Sequence, residues 1–243
     1  MTDLPEHFRA VAAGIEHEIG EIGDLGETSA PGEPATSSLG EIEGTGGQRG
    51  GIPAANRRVE EAVRQILTEI GEDPDRVGLA GTPERVHRMY AELTAGYHVD
   101  PGRLMNGALF EADYSEMVVV KNIPFYSLCE HHLLPFFGEA AVAYIPKGRL
   151  IGLSKIPRIV EMFARRLQVQ ERMTQQIADF LMEQLQPMGV GVVLEATHLC
   201  SVMRGVRKEG TVMTTSHVLG LFRTRDRTRA EFLAHLERNG RPR

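Results

Sequence analysis

From Asn56 onward the apolar residues change their spacing from helical to strand-like and back again, twice, and few architectures accommodate that alternation. Val59, Val63, Ile66 and Ile70 recur at helical spacing, and Gly71 supplies a stop. Thr82-Pro83-Glu84 reads as N-cap, first helical residue and first-turn acid of a second helix, with Val86, Met89, Tyr90 and Leu93 as its apolar stripe. Residues 117–123 and 140–145 are β-branched or apolar runs, which predict strands. Ser154 caps a predicted helix reaching about residue 167, with Ile159, Val160 and Phe163 inward. A helix over 170–185 follows, carrying Met173, Ile177, Phe180 and Leu181, and Pro187 and Gly189 end it. Residues 190–197 and 211–216 predict two more strands, and 229–238 a terminal helix. Strands in pairs, separated by a pair of helices, favour an α+β fold with antiparallel pairing over a doubly wound parallel sheet.

The first 51 residues differ in kind. Residues 20–51 contain ten glycines and almost no large apolar side chains, so they cannot offset the entropy of ordering and predict a disordered tail. Ahead of them Phe8, Val11, Ala12, Ile15 and Ile19 share one helical face, but an isolated helix of that length is marginal in water. Residues 1–51 hold ten acidic and two basic side chains; the remaining chain has 25 Lys and Arg against 23 Asp and Glu. The overall charge of −6 thus belongs to the tail, and a near-neutral body argues against a general nucleic-acid surface. No apolar run approaches the roughly 18 residues of a membrane span, and the acidic start lacks the pattern of a secretory signal. Two cysteines are too few for a disulfide framework, so reduced thiols and a cytoplasmic location are expected.

Chemistry concentrates in Ser127-Leu128-Cys129-Glu130-His131-His132. Cys129 and His132 have a spacing that lets one tight turn aim sulfur and imidazole at the same ion, and a thiolate with an imidazole suits Zn²⁺. Cys200 closes a strand-like run in His198-Leu199-Cys200. If the two strand ends are adjacent, two thiolates and one imidazole leave a fourth position open, as in catalytic zinc sites. The competing reading makes both cysteines small buried residues and the histidines satisfied polar groups. On an extended backbone His131 points away from His132, while His198 shares a strand face with Cys200; imidazoles beside such a site move protons near neutral pH. Ser154-Lys155 at a helix start, with Arg158 one turn on and Arg204 close after Cys200, suits phosphate oxygens, although such cations are commonly just solvated. Gln170-Glu171 opens the next helix, where a carboxylate also complements the helix dipole.

In this order, Cys-Glu-His-His at 129–132, Ala143-Tyr144-Ile145-Pro146, Ile151-Gly152-Leu153-Ser154-Lys155, Gln168-Val169-Gln170-Glu171-Arg172 and His198-Leu199-Cys200 resemble the zinc-dependent GTP cyclohydrolase I family. Thr82-Pro83 with Arg85 and the Arg204-Gly205 segment agree. The resemblance runs from about residue 56 to 238, leaves 1–51 outside a catalytic domain of 52–243, and is looser around 209–217. It implies the tunnelling fold, in which antiparallel sheets of several subunits join into a barrel, usually in a homodecamer. It also implies conversion of GTP and water to 7,8-dihydroneopterin triphosphate and formate, the entry to folate-type pterins. By position Cys129, His132 and Cys200 hold zinc, and His131 and His198 transfer protons. Glu171, with Gln170 beside it, anchors guanine. Lys155, Arg158, Arg204 and nearby Ser154 hold the triphosphate, with Arg85 reaching it from a neighbouring subunit. Other readings are a pterin aldolase or nitrile reductase relative on the same fold, a zinc hydrolase or deaminase of another purine nucleotide, and a zinc-stabilised module without catalysis.

Overall fold

The computed structural model describes residues 57–237; the expected disordered tail and the helical face around Phe8 lie outside the described residues. Helices α1 (Arg57–Glu69) and α2 (Thr82–Leu93) come first, then a 3₁₀ turn at Ala95–His98 and the short α3 (Pro101–Met105). Strands β1 (Leu109–Glu111), β2 (Val118–Cys129), β3 (Pro135–Ile145) and β4 (Arg149–Ile151) follow. Next come α4 (Lys155–Ala164), β5 (Leu167–Gln168), α5 (Gln170–Leu185) and β6 (Gly189–His198). The short α6 (Leu199–Val202), β7 (Met213–Gly220), α7 (Leu221–Thr224) and α8 (Asp226–Glu237) complete the described chain. The main sheet has the order β5-β2-β3-β6-β7, and β1 pairs with β4 apart from it. All its pairings are antiparallel except that of β2 with the two-residue β5. The expected α+β class with antiparallel pairing therefore holds.

Helices α4 and α5 cover one face of the sheet. Ile156, Ile159, Val160, Phe163, Met173, Ile177 and Leu181 meet Phe125, Val142, Tyr144, Val192 and Leu194 in one core. On the opposite face Ala143, Ile145 and Val193 pack with Phe222 of α7 and Phe232 of α8. Because both faces are covered there, residues 140–145 of β3 are buried without alternation. Each fully buried aliphatic or aromatic side chain contributes about 1.5–3 kcal/mol relative to exposure. Strands β3 and β6 run so close that a Cβ on Gly138 would meet the Glu195 carbonyl oxygen.

Several local expectations are corrected. Thr82 does not cap α2: the N-cap is Gly81, without a side-chain bond, while Pro83 and Glu84 do occupy the first turn. Ser154 precedes α4 without a side-chain cap bond, and that helix stops at Ala164 rather than near 167. The strands exceed their predicted lengths. Strand β2 runs six residues past its predicted end, through Pro124 to Cys129, and carries a bulge at Lys121-Asn122, with Asn122 at φ 57°. The α1 stripe is mostly outside: Val63 is buried, whereas Ile66 and Ile70 are 59% and 68% exposed. Among the described residues no helix is long and apolar enough to cross a membrane.

Candidate metal centre and active site

Strand β2 ends at Cys129, and the chain reverses through Glu130-His131-His132-Leu133-Leu134 into β3. The turn is closed by Cys129 N–H donating to Leu134 O at 2.8 Å and Leu133 N–H donating to Cys129 O at 2.8 Å. Leu133 takes a left-handed φ of 55°, which coils the turn and returns His132 toward Cys129. Cys200 arrives by another route. Strand β6 pairs with β3 so that His198 faces Phe136, and the next residues coil into α6. One ligand atom each from Cys129, His132 and Cys200 then lies within 4.8 Å of the others.

Four-coordinate zinc has Zn–S near 2.3 Å and Zn–N near 2.0–2.1 Å, placing its donors about 3.4–3.8 Å apart, so these residues fit such an ion with little adjustment. Cys129 is buried, Cys200 half-buried and His132 exposed, so the group is reached from solvent on the imidazole side. Burial, together with hydrogen bonding and charge interaction with the Cys129 thiol, pushes the Cys200 thiol up, while Arg204 pulls it down. A divalent cation held there would offset the rise at Cys200, since it deprotonates coordinating sulfur.

The sequence-predicted histidines both sit here, in settings other than those expected. His131 is in a turn, not on extended backbone, and its Nδ1 stands 3.7 Å from Cys129 Sγ. His198 does not share a strand face with Cys200, because Cys200 lies on α6. Its ring instead stacks on Phe136, with centroids 4.5 Å apart and planes within 2°, and its Nε2 is 2.8 Å from Gln170 Oε1. Burial holds the imidazole below its ordinary range, with the nearby Glu171 carboxylate pulling the other way. Glu171 is exposed in the first turn of α5, whereas Gln170 is buried.

The basic residues divide. Arg204 is exposed and near enough to act on the Cys200 thiol. Lys155 Nζ donates to Leu104 O at 2.7 Å and Asn106 O at 3.4 Å, tying α4 to the end of α3. Arg85, Ser154 and Arg158 are exposed, and no hydrogen bond or ion pair joins them to the metal group among the described residues. Sequence reasoning missed the clamp on the metal turn: Arg172 pairs with Glu130 and donates to Leu167 O at 3.1 Å and Gln168 Oε1 at 3.1 Å. That pairing holds the Glu130 carboxyl below the usual range. Gln168 and Arg172 both belong to the Gln168-Val169-Gln170-Glu171-Arg172 motif, but only the chain path shows that α5 reaches back to the β2–β3 turn.

An α+β domain presenting two thiols and one imidazole as open metal donors defines a metal-binding class of which catalytic zinc proteins are the best-suited members. The GTP cyclohydrolase I family pattern matches residues 59–237. GTP cyclohydrolase 1 of Leptospira biflexa is 58% identical over 175 residues, covering 72% of this chain and 96% of that protein. GTP cyclohydrolase 1 of Chlorobaculum tepidum is 59% identical over 173 residues, 71% of this chain and 77% of its own. That of Methylococcus capsulatus is 57% identical over 175 residues, 72% and 95% respectively. The chain belongs to the GTP cyclohydrolase I family.

Proposed function

We propose that this protein hydrolyses GTP to 7,8-dihydroneopterin triphosphate and formate, with Zn²⁺ held by Cys129, His132 and Cys200. The observation that carries the reading is the convergence of those three donor atoms, with His131 against Cys129 and His198 two residues before Cys200. A zinc ion bound there supplies the Lewis acidity that ionises water near neutral pH, which attack at the weakly electrophilic C8 of guanine requires.

The chain's own groups do the rest. His131 donates a proton to N7 of the base, making C8 more electrophilic, and His198 moves protons during ring opening, ribose rearrangement and closure. Glu171 accepts two hydrogen bonds from guanine N1–H and the exocyclic amine, which adenine does not offer. Its exposure at the head of α5, close to His198, supports that place. Arg204, Arg158, Ser154 and Lys155 hold the unreacted triphosphate. Lys155 keeps a third N–H for a phosphate oxygen beyond its two carbonyl partners. Arg85 reaches that group from a neighbouring subunit of a homodecamer with the tunnelling fold. The position of β5 and β7 at the two edges of the sheet supports joining to other subunits. Catalysis belongs to residues 52–243, with 1–51 an appendage. The free thiols of Cys129 and Cys200 suit the cytoplasm.

The test is to load the protein with zinc, add GTP, and measure formate, oxidised fluorescent pterin and zinc per subunit. About one zinc per subunit with equimolar formate and pterin is expected; bound zinc without either product rejects the reading. Glu171→Ala is expected to lower kcat/KM for GTP about 100-fold or more, since a site built around hydrogen bonds to its substrate loses its discrimination without them. Unchanged GTP affinity with unchanged rejection of ATP, measured by steady-state kinetics, would remove Glu171 from base recognition.

A further inference from the structure

We infer that Gln170 is a positioning residue that locks His198 in the Nε2–H tautomer, so that His198 starts catalysis as a proton acceptor through Nδ1. The catalytic consequence rests on the proposed GTP hydrolysis; the tautomer itself follows from the hydrogen-bond chain alone.

Each proton in that chain has one place to go. Thr174 Oγ1 donates to the Gln170 main-chain oxygen at 2.7 Å, which spends its single proton. The Thr174 and Thr215 hydroxyl oxygens are 2.6 Å apart, so Thr215 is the donor of that pair. Having spent its own proton, Thr215 Oγ1 accepts from Gln170 Nε2 at 3.1 Å. The same Nε2 faces Leu194 O at 3.0 Å and Met213 O at 2.9 Å, both of which only accept. The amide NH₂ is therefore committed to that side, and Oε1 must face His198. An amide oxygen cannot donate, so the proton between Gln170 Oε1 and His198 Nε2, 2.8 Å apart, belongs to the histidine. In the neutral ring this leaves Nδ1 as the one lone pair. The Phe136 stack holds the ring plane, so this lone pair has a fixed direction.

The arrangement suits a base. When Nδ1 takes a proton from a substrate N–H or O–H, the electron pair stays on the substrate atom, and the Nε2–H bond to Gln170 persists and becomes charge-assisted. No side chain has to turn over for the imidazolium to be stabilised. When Nδ1 returns its proton to a later intermediate, the starting tautomer is restored. Gln170 is 1% exposed and its amide is fully engaged, so it acts on the substrate only through His198.

The test begins with the zinc-loaded wild-type protein labelled with ¹⁵N in the histidine rings, read by magic-angle-spinning NMR, with His198→Asn identifying the signal. A protonated Nε2 and bare Nδ1 at neutral pH are expected; the opposite tautomer, or an even mixture, overturns the inference without any variant needing to fold. Gln170→Met keeps the volume but removes the acceptor. It should release His198 into a tautomer mixture and lower kcat about 10- to 100-fold, leaving KM for GTP within about twofold and zinc content unchanged. Thr215→Ser, which keeps the hydroxyl, should behave as wild type. A rise in KM at constant kcat would make Gln170 a substrate contact and overturn the proposal. If the wild-type protein turns over no GTP, the functional reading fails on that result, and the spectrum still decides the tautomer.

Discussion

Cys200→Ala is expected to abolish zinc retention and turnover together, with kcat falling about a thousand-fold or more, because in the proposed reaction the zinc would supply the nucleophile and no second metal-ligating group stands by among the described residues. Cys129 and His132 would remain as a two-donor set on one turn, too few to retain the ion against dilution. The fold should survive. Cys200 is half-buried and packs at the margin of the core, so its loss costs about 1 kcal/mol or less before metal linkage is counted. Metal analysis by mass spectrometry, paired with formate release and a thermal melt, separates these effects. A full zinc complement in the variant would show that sulfur at 200 is not a ligand and would remove the basis for the open three-donor site. Zinc added to the wild-type apoprotein should raise Tm, and the same addition to Cys200→Ala should not.

Gly138→Ala carries the second large effect, and its cause is backbone rather than chemistry. A Cβ there would meet the Glu195 carbonyl oxygen and then the Ala196 Cα across the β3–β6 pairing. Neither contact is the flexible end of a side chain, so the strands must separate. Overpacking of this kind costs about 1–3 kcal/mol, and at about 3 kcal/mol a domain of this size loses roughly 6–12 °C of Tm. The same pairing puts Phe136 opposite His198, so a shifted strand also disturbs the approach of Cys200 to Cys129. Weaker zinc retention should accompany the lower melting temperature. Gly148→Ala is the control, since Gly148 has φ 75° but open space around its missing Cβ. It should cost only the left-handed strain, about 1–2 kcal/mol. A Gly138→Ala melt no lower than that of Gly148→Ala would mean that β3 and β6 tolerate a wider spacing.

Helix α5 was legible over its full length, because its apolar period is unbroken and Pro187 and Gly189 mark its end, although the left-handed Gln186 that stops it carried no sequence signal. The short β1, β4 and β5 were not, since two- and three-residue strands carry no period to read. Ser154 and Thr82 show a different limit. Each is the right residue type for a cap, yet the backbone placed neither hydroxyl in capping geometry. The α1 stripe shows a third. Its spacing announced a helix correctly, but periodicity does not say what an apolar face will meet, and Ile66 and Ile70 stay exposed in the chain.

At the candidate site the split follows the range of the forces involved. Amino-acid sequence alone determined the donor types, the Cys-x-x-His turn and the family's ordered motifs, because each depends on neighbours a few residues apart. Only the tertiary structure decided that Cys200 joins that turn, through the register of β3 on β6, and that Arg172 reaches back to Glu130. It alone committed the amide of Gln170, because Leu194, Met213 and Thr215 come from strands laid beside α5 by packing of the core. A hydrogen bond needs its partners within about 3 Å, and chain order does not specify which distant residues a buried sheet will bring that close.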